Sequence, residues 1–275
     1  MSIRGRRLLT QGAIIAVMLL VGLVFLMPYA WMLLNSFKEK AEIMKGKTFW
    51  PEHFIWTNYN TVFTKAPIFT WFGNSVITAV IGTVIMLLTS TLAGFVFAKY
   101  EFKGKHVLFW LILATMMVPA QATMIPSFLL VQGMGMYDKL IALIVPRLVG
   151  GFGIYLCRQF IEDIPDSLCE AAAIDGAGDL FIYRRVILPL IGPAVSALAI
   201  FTFLEKWNDY LGPLLYLENP KNMTMPLALS YFNSQRQADV GASMAAAALV
   251  MLPVTVVFLS FQKQFIKGIA ITGMK

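Results

Sequence analysis

Residues 162–189 read EDIPDSLCEAAAIDGAGDLFIYRRVILP and hold six of the fifteen acidic residues of the chain. On either side of this polar stretch the charge nearly disappears. Uncharged runs cover residues 8–37, 66–98, 107–137, 186–204 and 240–262, and a sixth, from Leu140 to Cys157, is interrupted only by Arg147. A hydrocarbon core of ~30 Å takes ~20 helical residues, so each run can hold one crossing. The pattern predicts an all-α integral membrane protein with six transmembrane helices, in which residues 162–189 connect the fourth crossing to the fifth.

Composition agrees with this reading. With 275 residues, 58% apolar, 13% charged and a mean hydropathy of +0.71, the chain carries more apolar surface than a soluble domain can bury. Disorder is excluded by the scarcity of charge, and a collagen-like chain by the 20 glycines and 13 prolines, which follow no three-residue period. Cys157 and Cys169 are too few for a disulfide framework and lack the paired spacing of a zinc site. The net charge of +7 is scattered between apolar runs rather than gathered into a basic patch, which argues against nucleic acid.

The first run, centred on Gly12–Leu34, is longer than the roughly 7–15 residues of a signal-peptide core and has no A-x-A site after it, so it is expected to stay as an anchor. The third contains Pro119 and Pro126, which predict a helix followed by a broken return. Orientation follows the Lys/Arg count of the short loops. Placing Arg4, Arg6 and Arg7 inside puts twelve basic residues there and nine on the other side. Both termini are therefore expected in the cytoplasm, with Tyr29 and Trp31 as interfacial anchors at the outer end of the first crossing. No repeat or linker divides the membrane domain. The expected organisation is an N-terminal helix and outer loop at 1–70, a membrane domain at 71–263 enclosing the 162–189 connector, and a tail at 264–275.

Inside the connector, Pro165, Asp166 and Ser167 signal a helix start, because a short side-chain oxygen can accept from the first-turn N–H groups. A short helix is expected over Leu168–Asp175, closed by a left-handed Gly176. Asp179 is expected to cap a second short helix, which Pro189 keeps from running unbroken into the fifth crossing. Ala171, Ala172, Ala173 and Gly176 would form a surface with almost no side-chain bulk, edged by Glu170. Another protein can approach such a surface closely.

The run Glu170-Ala171-Ala172, three residues, Gly176, nine residues, Val186, one residue, Leu188-Pro189 resembles the EAA signature of the membrane subunits of ABC importers. The family prefers isoleucine where Val186 stands. Phe72-Gly73-Asn74-Ser75, Leu92-Ala93-Gly94, Tyr100-Glu101-Phe102-Lys103-Gly104, Gly153-Ile154-Tyr155, Arg158-Gln159-Phe160, Trp207-Asn208-Asp209-Tyr210 and Phe265-Ile266-Lys267-Gly268 are similar to carbohydrate-importer permeases of the maltose type, in their shorter six-span partner. The resemblance implies the type I permease fold in the cytoplasmic membrane of a bacterium or archaeon. It also implies that Glu170, Ala171, Ala172, Asp175, Gly176, Leu188 and Pro189 belong to a coupling loop that docks on an ATP-hydrolysing subunit. The partners it implies are a homologous permease, two cytoplasmic ATPase subunits carrying ATP and Mg, and an extracytoplasmic solute-binding protein. The solute would be a sugar or oligosaccharide, with a polyol phosphate such as glycerol phosphate as the near alternative.

The chain shows no chemistry of its own. Gly46-Lys47-Thr48 imitates the end of a phosphate-binding loop, but position 41 is alanine where the motif needs its leading glycine. His53 and His106 lie outside the apolar runs, and no crossing carries paired acids or a metal motif. The absence of acids within the crossings also argues against an ion-coupled carrier acting alone. For the solute path, Arg147 is expected either to offer hydrogen bonds near a sugar or to snorkel or pair with a neighbour. Asn74 is expected to bind a neighbouring helix rather than substrate. The cluster Glu205, Trp207, Asn208, Asp209 and Tyr210 suits sugar binding, but suits better an interfacial belt that meets a binding protein. Gly241, Ala242 and Ser243, with Ala245 to Ala248, predict a close helix-packing face in the sixth crossing.

Overall fold

The computed structural model describes residues 3–234 and 239–272, with side chains omitted for 3–10, 231, 233, 234 and 262–272. The side chains of Arg4, Arg6, Arg7, Lys263 and Lys267 and the Phe265–Gly268 motif lie outside the described residues, as do Arg236 and Lys275. All regular structure among the described residues is helical. Helix α1 (Ile3–Asn35) is followed by α2 (Lys40–Lys45), α3 (Thr57–Lys65) and α4 (Ile68–Lys99). Next come α5 (Lys105–Met117), a 3-10 turn (Ala120–Thr123), α6 (Met124–Gly133), α7 (Ile141–Ile144), a second 3-10 turn (Val145–Arg147) and α8 (Gly151–Glu162). The connector folds as α9 (Asp166–Ile174), α10 (Asp179–Ile182), a π turn (Tyr183–Ile187) and α11 (Leu188–Leu190), leading into α12 (Gly192–Trp207). The chain ends with α13 (Leu211–Tyr216), a 3-10 turn (Pro220–Asn222), α14 (Met225–Ser234) and α15 (Val240–Thr272).

Three apolar helices are continuous: Gln11–Asn35 of α1, all of α4, and Val240–Phe261 of α15. The other three crossings are bent pairs. Lys105–Met117 meets Ala120–Gly133 at 97°, Ile141–Arg147 meets Gly151–Glu162 at 48°, and Asp179–Leu190 meets Gly192–Trp207 at 80°. The break after Met117 is the one that Pro119 predicts. The break between Arg147 and Gly151 corrects the reading of Leu140–Cys157 as one helix. Gly150 has extended backbone there, and a residue with a Cβ at Gly150 would press on Met86 at 2.8 Å.

The chain divides into two compact units, Met1–Ile68 with Ala228–Leu252, and Phe69–Leu227 with Pro253–Lys275. In the first, most side chains of α1 from Gln11 to Leu33 are exposed, Phe25 at 71%, as expected of an apolar helix that meets lipid. Its C-terminal end is closed by the Asn58 amide, which donates to the carbonyls of Ser36 and Lys38 at 2.9 Å each. Gly241 makes room for that amide, since a Cβ there would strike Asn58 Oδ1. Ala242, Ala245 and Ala246 are buried beside it, so the small residues of the sixth crossing form a packing face. Gly46-Lys47-Thr48 belongs to a loop in which the Thr48 hydroxyl donates to Glu42 and the Thr48 carbonyl accepts from Lys38.

The second unit is organised around α8, against which α5 and α12 both pack. Arg158 of α8 lies 3.8 Å from the ring centre of Phe109 on α5 and pairs with Glu162 at 2.7 Å. Helices α4 and α8 approach closely where each carries glycine. A Cβ at Gly153 would strike Ser90 Oγ, and one at Gly94 would lie 2.7 Å from Cys157 Cβ and 2.9 Å from the backbone nitrogen of Arg158.

This contact sets the sign of a substitution. Alanine in place of glycine favours a helix by ~1 kcal/mol, but overpacking against immovable backbone costs about 1–3 kcal/mol. Gly94→Ala is expected to lower the thermal unfolding midpoint of the purified protein, whereas Gly22→Ala, with nothing within 4 Å of the new methyl, should not.

Candidate functional site

Helix α9 begins with Pro165 at its N-cap and ends on Gly176 at φ +81°. The N–H of Gly176 reaches the Ala173 carbonyl and that of Ala177 reaches Ala172, which is the paired closure that a left-handed glycine permits. The expected cap holds. The start of the helix differs: no side chain caps it, and Asp166 turns away to accept from Lys99 at 2.6 Å. Lys99, the last residue of α4, also donates to the Ile164 carbonyl, and its side chain is only 7% exposed. One buried ammonium thus holds both the first turn of α9 and the chain entering it.

A second tie lies beside it. Gly178, not Asp179, is the N-cap of α10, so the Asp179 carboxylate is free to accept from the Tyr100 hydroxyl. Burial and this carboxylate push Tyr100 up to about 12. Tyr183 of the π turn bonds Thr91 of α4 at 2.7 Å, and Phe95 packs edge-on against Tyr100 and tilted against Tyr183. Below them lies a buried apolar cluster that includes Cys157, Ile161, Ile182, Ile187 and Leu198. The connector is therefore seated on the ends of α4 and α8 and on the start of α12.

The same seating decides which side chains are displayed. Ala172 and Leu188 are turned onto the cluster, together with Cys169, Ala177 and Val186. This corrects the reading of three alanines on one open surface. Glu170, Ala171, Ala173, Asp175, Gly176 and Pro189 are exposed, and Ile174 stands out at 86%. Leu180 and Phe181 are exposed alongside Arg184 and Arg185, and these four line an open hollow. Exposed apolar side chains flanked by cations and small residues have the composition expected of an interaction surface.

The remaining predicted residues lie away from this face. Asn74, on α4, donates to the Lys221 and Met223 carbonyls at 2.9 Å each, so it binds the chain rather than solute. Trp71 donates to Pro220, and Ser75 accepts from the Met225 N–H. On its other side the segment 217–222 is held by Asp138, whose carboxylate accepts from the N–H groups of Glu218 and Asn219 and from Asn222. Asp138 takes this place despite φ +56°. Burial alone would raise its pKa, but the two N–H groups and the amide outweigh that and hold it below the usual carboxylate value.

Arg147 and Asp209 form an ion pair at 2.7 Å, and the Gly212 N–H donates to the second carboxylate oxygen at 3.1 Å. Of the alternatives for Arg147, pairing is what the geometry shows, with a partner inside the chain. Trp207 is 1% exposed, stacked on Phe203 and edge-on to Phe72, which corrects its expected place on an aromatic surface; Asn208 is exposed. Lys206 runs along Gly82 and reaches towards the Arg147 carbonyl at 3.4 Å.

Comparison with known proteins adds the following. A family model described as the inner membrane component of binding-protein-dependent transport systems matches residues 90–271. The arabinooligosaccharides transport system permease protein AraQ of Halalkalibacterium halodurans is 32% identical over 259 residues, covering 93% of each chain. The lactose transport system permease protein LacG of Rhizobium radiobacter is 31% identical and covers 96% of each. Among solved structures, a bacterial ABC transporter involved in the import of the acidic polysaccharide alginate superposes with a TM-score of 0.85 over 96% of this chain and 99% of that one, at 24% identity. At that identity the likeness carries the fold.

Two outcomes follow from the ties. Lys99→Met leaves the Asp166 carboxylate and the Ile164 carbonyl without their cation, an effect of about 1–3 kcal/mol, so amide exchange across residues 166–174 should quicken roughly tenfold or more while that of α1 does not change. Because the Asp138 pKa is lowered in the fold, its contribution is present above the ordinary carboxylate value of about 3.9 and lost as pH falls through the lower folded value. The difference in unfolding midpoint between wild type and Asp138→Ala should therefore be constant from neutral pH down to about 5 and shrink below about 4.

Proposed function

This chain belongs to the family of binding-protein-dependent transport system inner membrane components, and we propose that the solute it helps to import is a sugar or oligosaccharide. It is a multi-pass inner-membrane permease subunit of an ABC importer, not an enzyme. The carbohydrate reading rests on relatives that match nearly the whole chain and are permeases for arabino-oligosaccharides and lactose. Those names favour a saccharide over a polyol phosphate. Family membership decides against an ion-coupled carrier acting alone.

In this reading both termini and the 162–189 connector face the cytoplasm, and residues 71–263 form the transporting domain. Two ATPase subunits bind ATP and Mg, a homologous permease completes the pathway, and a solute-binding protein delivers sugar from outside. The observation that supports coupling through α9 is its double character: Glu170, Ala171, Ala173 and Ile174 are displayed, while the root of the same helix is bonded to the end of α4 and rests on α8 and α12. A push on the displayed face reaches three membrane helices at once. Closure of the ATPases would thus bias the permease between inward- and outward-open states. Arg147, Asn208 and Asp209 belong to the path or to its contact with the binding protein, and Asn74 holds the chain at Lys221 and Met223.

The displayed and seated alanines separate docking from folding. Ala171→Glu or Ile174→Asp should reduce co-purification of the ATPase subunits and uptake by about tenfold or more, as for loss of an interface anchor, with the unfolding midpoint unchanged. Ala172→Glu should instead lower the midpoint, since it places a charge on the buried cluster. Normal ATPase recovery and uptake with Ala171→Glu would refute docking through α9.

A further inference from the structure

The breaks of two bent crossings and the short helix that follows the third converge on one pocket. The 3-10 turn at the 97° bend supplies Gln121 and Thr123, α6 supplies Ser127, the turn before the 48° bend supplies Arg147, and α13 supplies Gly212 and Tyr216. Irregular backbone at membrane depth is tolerated only where it is buried in protein or lines a polar cavity, and broken helices in carriers gather around the solute. The pocket holds about 180 Å³. That is below the roughly 300–1,000 Å³ of pockets for drug-sized ligands, and suits a single ring rather than a chain of them.

Its chemistry is specific. The Arg147 charge is already matched by Asp209 at 2.7 Å, and Asp209 is itself held by the Gly212 N–H. Gly212 is needed there, because a Cβ would strike Asp209 Oδ2. Lys206, which reaches towards the Arg147 carbonyl, also interacts electrostatically with Glu205 and Asp209, so two cations meet two carboxylates there. An anion would have to displace Asp209. What remains on offer is neutral: the unused N–H groups of the Arg147 fork, the amide of Gln121, the hydroxyl of Ser127, and the oxygen of Thr123, whose proton is given to the Ala120 carbonyl. Tyr216 and the apolar Met124, Leu211 and Leu215 complete the wall. A mixed lining of forked donors, hydroxyls and apolar faces matches a sugar ring, which carries hydroxyls at its rim and C–H groups on its faces.

We propose that this pocket is a contact station for one neutral, hydroxyl-bearing ring of the transported solute, with Arg147 as the binding group and Asp209 as the residue that positions it. The proposal rests on the carbohydrate-importer reading and narrows it to neutral rings.

The test uses the complete importer in proteoliposomes with its solute-binding protein, offered radiolabelled neutral oligosaccharides (arabino-, malto- and chito-) and glycerol phosphate. Gln121→Leu with Ser127→Ala should lower uptake of the transported saccharide about 3–10-fold, as for loss of one or two hydrogen bonds, with ATPase co-purification unchanged. As an independent arm, S127C in a Cys169→Ser background should be labelled by a small hydrophilic maleimide, and the transported saccharide should slow that labelling while glycerol phosphate does not. Saccharide uptake by the wild type with unprotected S127C labelling and an unimpaired double variant would overturn the pocket and leave the importer reading standing. Protection by glycerol phosphate instead of the saccharide would overturn the neutral class. Failure of the wild type to take up any saccharide offered would overturn the carbohydrate reading itself.

Discussion

The ammonium of Lys99 is the joint on which the rest of the molecule depends. It is nearly buried and has two oxygens to satisfy it, the carbonyl of Ile164 and the carboxylate of Asp166. Removing either leaves a desolvated charge short of a partner, which costs far more than an exposed ion pair would. The entry to α9 is therefore fixed to the exit of α4, and the Schellman closure at Gly176 fixes the other end of α9 within the same short span. Between them the helix has little freedom to slide. Its displayed face moves only if α4, α8 or α12 moves.

The bent crossings obey a second constraint. A bilayer supplies no water to free N–H and C=O groups, so a helix can break there only if something else receives them. At the 48° bend the Leu148 carbonyl accepts from Thr89 of α4. At the 80° bend the break falls at Ile191, just past Pro189, and the N–H of Ile191 still reaches Ile187. The π turn before it places an extra residue in one turn, the kind of local widening that recurs at functional positions. Breaks of this sort are built, not tolerated.

How much of this could be read beforehand differs by the physics involved. The six crossings were legible because apolar composition over ~20 residues is a sum over many side chains and survives local exceptions. Gly176 was legible because a left-handed cap has few candidates. The bend after Arg147 is hidden in that sum: composition counts the apolar run without weighing the helix-breaking Gly150-Gly151 pair, and the closeness of Met86 and Met116 to that pair is seen only in the fold. Nor could sequence say that Ala172 faces inward while Ala171 and Ala173 face out, because three successive alanines carry no moment. The roles of Lys99, Tyr100 and Asp138 depend on partners 67, 79 and 80 residues or so away, a distance over which no periodicity speaks. Asp209 reads from sequence as part of a surface at the end of the fifth crossing, whereas in the fold its partner is Arg147.

Helix α4 has 32 residues and no proline, so it runs about 48 Å without a hinge. One end, through Trp71, Asn74 and Ser75, grips the segment 220–225; the other, through Thr91, Phe95 and Lys99, grips the connector. A stiff rod clamped at both ends makes its two attachments a single inherited character. A change that loosens one grip alters the lever arm felt at the other, so mutations that repack the segment held by Asn74 should be accepted in evolution only alongside compensating changes near Lys99, and sequence drift at the two ends of this helix should be correlated though the residues never touch.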